Sequence, residues 1–250
     1  MHYPVSHWPV HPYKVLVVVP AYNEADSIGG VISQVRTGVP ETDVLVIDDG
    51  STDATAAIAQ EAGAFVVSLP HNLGIGSAVQ TGYIFAAEMA YDIAVQVDGD
   101  GQHNPAEIPE IVAPLLAGQA DVVIGSRYLE DRGYITPFLR QMGIFVLATI
   151  VSLIIRQRVT DTTSGFRAVN RRVIEFCARE YPRDYPEPES VVLFRRAGFR
   201  VREIPVTMNP RYGGQSSITP LRSFYYMVKV LLAIFIGLLR RGHKRRVEDL

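Results

Sequence analysis

Short apolar runs and amphipathic stretches take turns along the first half of the chain. Residues 14–20 (KVLVVVP) form a β-branched run stopped by proline, the pattern of a strand buried on both faces. Residues 25–38 (ADSIGGVISQVRTG) follow with helical spacing and Gly38 near the stop. The unit then recurs, with strands expected at 43–48, 64–69, 92–98 and 121–126 and helices at 52–63, 74–90 and 104–118. The last of these helices opens with Asn104 as its N-cap and Pro105 in its first position. Such alternation predicts an α/β fold built on a doubly wound, mostly parallel, Rossmann-like sheet.

The second half is less regular. Residues 137–157 read as a long helix that is greasy over 142–155, and 160–170 (TDTTSGFRAVN) as a polar, turn-rich segment. Residues 198–208 (GFRVREIPVTM) alternate like a strand, and 221–241 read as a last, very apolar helix.

Ligands of doubly wound sheets lie beyond the carboxyl ends of the strands. Each polar cluster of the first half sits at such an end: PAYNE after the first strand, DDGSTD after the second, DGDGQH after the fourth and SRY after the fifth. That convergence places a candidate site at one edge of the sheet.

Composition narrows the picture. A length of 250 residues suits one large α/β domain, alone or with an appendage. The net charge of -2 supplies no global basic field for nucleic acid, although five basic side chains crowd residues 240–246 (RRGHKRR). Cys177 is the single cysteine, so no intramolecular disulfide forms, and a reducing, cytoplasmic setting is the simpler reading. The opening 1–13 (MHYPVSHWPVHPY) lacks the apolar stretch of a signal peptide and reads as a surface tail. The spacing of His2, His7 and His11 within it matches no common metal-ligand pattern.

The chemistry concentrates in VQVDGDGQH, residues 95–103. Two like charges this close are costly unless a cation lies between them. On an extended segment Asp98 and Asp100 point to the same side and Gln102 continues the alternation. Hard oxygen donors in that pattern suit Mg²⁺ or Mn²⁺ held by few protein groups plus phosphates and water. A calcium loop is excluded, because its sixth position would be His103 instead of glycine and its twelfth Pro109 instead of glutamate. The plainer alternative is an Asp-Gly turn with solvated carboxylates. Asp48, Asp49 or Ser51 likewise read as helix caps as readily as ligands. GIGSAV (74–79) is only part of a dinucleotide fingerprint and follows the third strand, which argues against nicotinamide binding.

Taken in order, VVVPAYNEADSI, VIDDGSTDAT, NLGIGSAVQTGY, VQVDGDGQHNP, IGSRY and DTTSGFRAVNR resemble the motifs of family 2 glycosyltransferases with the GT-A fold. The resemblance covers roughly residues 14–210 and is nearest to the dolichyl-phosphate mannose synthase-like, polyprenyl-phosphate branch. It implies a catalytic domain over 14–215, between the tail at 1–13 and a C-terminal apolar and basic docking helix at 216–250. It implies that Pro20, Tyr22, Glu24, Ile47, Asp49, Gly76, Asp98 and Gly99 serve the nucleotide. Asp98, Asp100 and Gln102 would lie about the metal. Arg127 and Arg140 match arginines that meet phosphate groups, and Asp161 matches the acidic residue near the reaction centre. Ser164, Gly165 and Arg167 complete that last motif, with Ser164 and Arg167 on the acceptor-phosphate side. Ser217 stands where the family often carries a basic residue, and Arg211 is a substitute phosphate contact.

The expected activity is inverting, metal-dependent transfer from a UDP- or GDP-sugar to a polyprenyl phosphate. A saccharide hydroxyl acceptor and a non-catalytic sugar-nucleotide-binding module are the alternatives. A hydroxyl needs a general base, whereas a phosphate monoester with a second pKa of about 6 is already anionic. Asp161 is therefore expected to orient rather than deprotonate. Residues 223–239 are almost wholly apolar, and with 240–246 they read as a helix lying on anionic headgroups or packed on protein. The greasy 142–155 offers a second docking surface. The chain is thus expected to be cytoplasmic and peripherally membrane-associated. Members of this branch often carry appended membrane helices, so a small membrane protein or a homo-oligomer is the expected partner.

Overall fold

The computed structural model describes residues 13–130, 138–209, 229–236 and 238. The tail at 1–12, Arg211, Ser217 and the basic 240–246 lie outside the described residues, as does most of the expected C-terminal docking helix.

The expected α/β alternation is found. β1 (Val15–Ala21), α1 (Ile28–Gly38), β2 (Asp43–Asp48), α2 (Thr55–Glu61), β3 (Phe65–Ser68), α3 (Ile75–Glu88) and β4 (Ile93–Gln96) follow one another. A 3-10 turn (Pro105–Glu107), capped by Asn104 through a hydrogen bond from the Ala106 N–H, leads into α4 (Ile108–Leu116) and β5 (Val122–Ser126). α5 (Phe138–Ile155), β6 (Arg167–Asn170), α6 (Arg171–Arg179), α7 (Pro186–Arg196) and β7 (Val201–Pro205) complete the series.

The seven strands are ordered β3-β2-β1-β4-β6-β5-β7. β6 runs antiparallel to both β4 and β5, while the other pairings are parallel. β6 comes from the segment read as turn-rich. It is only four residues long and begins with a charged residue, so it carries no strand pattern of its own. α6 and α7 were not expected either. Asn170 caps α6 by accepting from the Val173 N–H. α7 tolerates Pro186 and Pro188 because the first turn of a helix needs no N–H donors.

All seven residues of β1 are buried. Val15, Val17 and Val19 face one core layer with α1 and α4, and Leu16 and Val18 face the other with α3, α5, α6 and α7. Residues 229–236 are helical, and Val230 and Ile234 enter this second layer beside Leu147, Val151 and Ile155. Leu232, Phe235 and Ile236 on the same segment are exposed, as are Phe145 and Leu153 on α5. No helix among the described residues is long and apolar enough to cross a membrane.

Candidate active site

The carboxyl ends of β1, β2, β4 and β5 gather the clusters anticipated from sequence, but the D-x-D segment is not extended. β4 stops at Gln96 and the chain turns at Gly99 and Asp100. The Gln102 N–H donates to Asp100 Oδ1 at 3.0 Å, closing the turn, and Gly101 takes φ +77°. Asp98, Asp100 and Gln102 are therefore placed by a turn and not by strand alternation.

Asp98 is held from several sides. Gln96 Nε2 donates to its Oδ1 at 3.2 Å. Its own N–H donates to Nδ1 of His103 at 3.0 Å, which places the imidazole proton on Nε2, the nitrogen 3.6 Å from Asp98 Oδ2. His103 is buried and stacks on Phe166 with ring centroids 5.0 Å apart. A Cβ on Gly165 would fall 2.8 Å from both carboxylate oxygens, so the SGF segment backs the aspartate closely. Gly99 lies against the end of β1, where an added Cβ would be 3.2 Å from the Pro20 carbonyl, and its own carbonyl accepts from Ser27 Oγ at 2.7 Å. The Asp98 side chain remains 36% exposed. Among the described residues no group of three or more His, Cys, Asp or Glu could hold a metal ion. An anchored, partly open carboxylate with Asp100 on the adjoining turn fits a hard divalent ion that completes its shell with phosphate oxygens and water.

At the end of β2, Asp49 is buried and both its oxygens accept backbone N–H bonds, from Leu73 at 2.8 Å and Gly74 at 2.9 Å. It folds the 69–74 loop onto the end of β2. Asp48 closes its own turn by accepting from the Ser51 N–H. Ile47 packs wholly in the core, and Gly76 exists because any Cβ there would strike the Arg183 carbonyl at 2.3 Å. Pro20 is buried opposite Ile47 in the sheet. Tyr22 is 45% exposed at the mouth. Glu24 is half-buried, with its N–H on Thr55 Oγ1 and its Oε2 accepting from Ser27.

At the end of β5, Arg127 reaches Asp161 through Nε–Oδ2 at 2.6 Å and Nη2–Oδ1 at 2.7 Å, a bidentate fork. Asp161 also accepts from the Arg127 N–H at 3.1 Å and from the Thr163 N–H and hydroxyl. It is fully buried. Ser164 and Arg167 are buried as well. The Arg167 guanidinium donates to the Ser164, Thr162 and Glu187 carbonyls and to Ser190 Oγ, tying β6 to α7. Arg140 lies in α5, but its side chain, like Arg211, is outside the described residues.

Two site groups escaped the sequence reading. His103 gave no signal beyond its place in the motif. Glu187, at the start of α7, has its carboxyl pushed up by burial and by Asp98, with Arg167 opposing. A cavity of about 560 Å³ opens beside this side of the site, with Tyr128, Phe145, Ser152, Leu153, Arg156 and Thr160 in its lining.

The sequence model of Glycosyl transferase family 2 matches residues 16–177. An undecaprenyl-phosphate mannosyltransferase of Micrococcus luteus is 30% identical over 215 residues, 82% of this chain and 88% of that protein. A polyprenol monophosphomannose synthase of Mycolicibacterium smegmatis is 30% identical over 82% of this chain and 81% of its own length. The crystal structure of glucosyl-3-phosphoglycerate synthase from Mycobacterium tuberculosis, in complex with Mn²⁺, UDP and phosphoglyceric acid, shares the fold. Its TM-score is 0.72 at 21% identity, over 98% of this chain and 85% of that one. The chain belongs to glycosyltransferase family 2 and is an enzyme of the glycosyltransferase class.

Proposed function

We propose that the enzyme moves a sugar, with inversion, from a nucleotide sugar to a polyprenyl phosphate at a membrane surface, using a divalent cation. The observation that carries this reading is the commitment of Asp161. A buried carboxylate gripped by one guanidinium and three further donors is poorly placed to take a proton from an acceptor. An anionic phosphate acceptor needs no such proton transfer.

Asp98 and Asp100 would hold the cation, Mg²⁺ or Mn²⁺, with Gln102 nearby. When bound, that ion neutralises charge on the departing diphosphate. Tyr22 and Glu24 line the nucleotide pocket, with Asp49 fixing the loop behind it. Arg127 meets the acceptor phosphate in an orientation set by Asp161, and Arg140 and Arg211 supplement it. The cavity lined by Tyr128, Thr160, Phe145 and Leu153 suits the first prenyl units of a lipid acceptor. Two relatives at 30% identity are named for transfer to polyprenyl carriers, which supports the same acceptor class here. The exposed Phe145, Leu153, Leu232, Phe235 and Ile236, together with the basic 240–246, support peripheral docking on anionic lipid.

A second reading has one observation in its favour. The raised carboxyl of Glu187, within the field of Asp98, is the kind of group that serves as a general base toward a saccharide hydroxyl.

The test is transfer from labelled UDP- and GDP-sugars, with Mn²⁺, to a short-chain polyprenyl phosphate, the matching polyprenol and a saccharide. The reading predicts label in the organic phase with the phosphate alone. Transfer to the polyprenol or the saccharide in place of the phosphate contradicts it.

A further inference from the structure

Glu203 lies on β7, opposite Ile124 of β5 and away from the D-x-D turn. Its carboxylate is spent on one dipeptide. Oε1 and Oε2 accept from the Thr160 N–H at 2.9 and 2.8 Å. Oε1 also accepts from the Asp161 N–H at 2.8 Å, and Oε2 from the Thr160 hydroxyl at 3.1 Å. Asp161 is the residue whose side chain grips Arg127. The Thr160 hydroxyl continues to Ser126 Oγ at 2.7 Å, and Ser126 Oγ accepts from the Tyr128 N–H at 3.2 Å. One carboxylate on an adjoining strand therefore braces both sides of the Arg127 fork.

We propose that Glu203 is a positioning residue for acceptor transfer: it fixes the Thr160–Asp161 backbone, and through it the direction of the Arg127 guanidinium. The inference rests on the reading of Arg127 as the acceptor-phosphate contact. A strand and a loop could be tied together by uncharged groups at less cost. Here a half-buried carboxylate stands in the field of Asp161, and burial chiefly, with that charge, pushes its carboxyl up, against the pull of the Asp161 and Thr160 donors. Such an arrangement is worth its cost where two adjacent N–H groups must be held in register. A misplacement of about 1 Å at a reacting phosphate is enough to slow transfer by one to two decades.

The experiment uses the full chain, a short-chain polyprenyl phosphate and the nucleotide sugar that supports turnover. It compares Glu203→Ala, Glu203→Asp and Glu203→Gln with wild type by kcat, both KM values, nucleotide affinity and thermal unfolding. Glu203→Ala and Glu203→Asp, which remove or shorten the brace, are expected to lose roughly tenfold in kcat/KM for the acceptor, with nucleotide affinity within about twofold of wild type. Glu203→Gln keeps one oxygen for both N–H groups and is expected to recover to within about threefold. Adding Glu203→Ala to Asp161→Asn is expected to cost less than about threefold more, because both act through the same fork. An acceptor kcat/KM within about twofold of wild type in Glu203→Ala, or equal losses toward donor and acceptor, overturns the proposal. If Glu203→Ala does not accumulate folded, Glu203→Asp decides by the same readouts. If wild type uses another acceptor, the acceptor reading fails by itself. The variants are then scored on the acceptor used, where an unchanged kcat/KM overturns the positioning role.

Discussion

Arg127 and Asp161 are locked together by two short, parallel hydrogen bonds of 2.6 and 2.7 Å, and the aspartate is shut off from solvent. Both of its oxygens are committed to donors.

Asp161→Asn keeps one oxygen for the fork but leaves a buried guanidinium under-paired. The variant should lose about 3 kcal/mol of stability and about tenfold in kcat, ~1.4 kcal/mol of barrier. The double variant with Arg127→Lys should be no slower than the slower single variant, because the pair acts as a unit. Unfolding curves and steady-state rates check both statements. A fall of several decades in Asp161→Asn, with loss of the acid limb of the rate profile, would mean that the residue is a base after all.

Glu187 separates the two acceptor classes. Glu187→Gln should leave transfer to a phosphate acceptor within about threefold of wild type, since no proton need be removed. A loss of about 10²-fold or more in kcat would point to general-base catalysis on a hydroxyl.

Acid should loosen the sheet at Asp121. Burial raises this carboxyl, but the Arg200 guanidinium and N–H and the Asn170 amide outweigh that effect and hold it below its ordinary value of 3.8. The native state thus binds the proton less tightly than the unfolded chain. The resulting stability is present above about pH 4 and is lost as pH falls through the lower native value. Asp121→Asn should remove this part of the acid dependence, and Asp121→Ala should cost about 1 kcal/mol by removing the acceptor shared by the Asn170 amide at the end of β6 and by Arg200 just before β7. Denaturant titrations across pH 2–6 measure both.

Phe145 and Leu153 are 72% and 74% exposed on α5. Changing either to Glu should weaken binding to vesicles of anionic lipid by about tenfold, the equivalent of an apolar side chain left in water. Cosedimentation at fixed salt gives the ratio, and unchanged binding would remove α5 from the docking surface.

Much of this was legible because the pattern was redundant. β1 is apolar at every position, so burial on both faces could be read directly, although the strand runs through Pro20, expected to be its stop, to Ala21. The strand-end clusters fell where a doubly wound sheet puts its ligands. Direction within a cluster was not legible. Ile47 and Arg167 fall within polar-rich motifs but turn inward, Ile47 to the core and Arg167 to four partners on two segments. β6 is specified by the neighbours it pairs with and carries almost no pattern of its own. Glu203 gave no sign, because its partners lie more than forty residues away.

The central claim is that Asp98 and Asp100 hold the cation that serves the departing diphosphate. Its most direct test is nucleotide-sugar turnover with a short-chain polyprenyl phosphate, measured with Mn²⁺ or with EDTA, in wild type, Asp98→Asn and Asp100→Asn. The account predicts activity abolished by EDTA and restored by Mn²⁺ in wild type. Each variant should fall by at least about 10²-fold, roughly 2.7 kcal/mol of barrier. Turnover that persists in EDTA, or variants as fast as wild type, would contradict it.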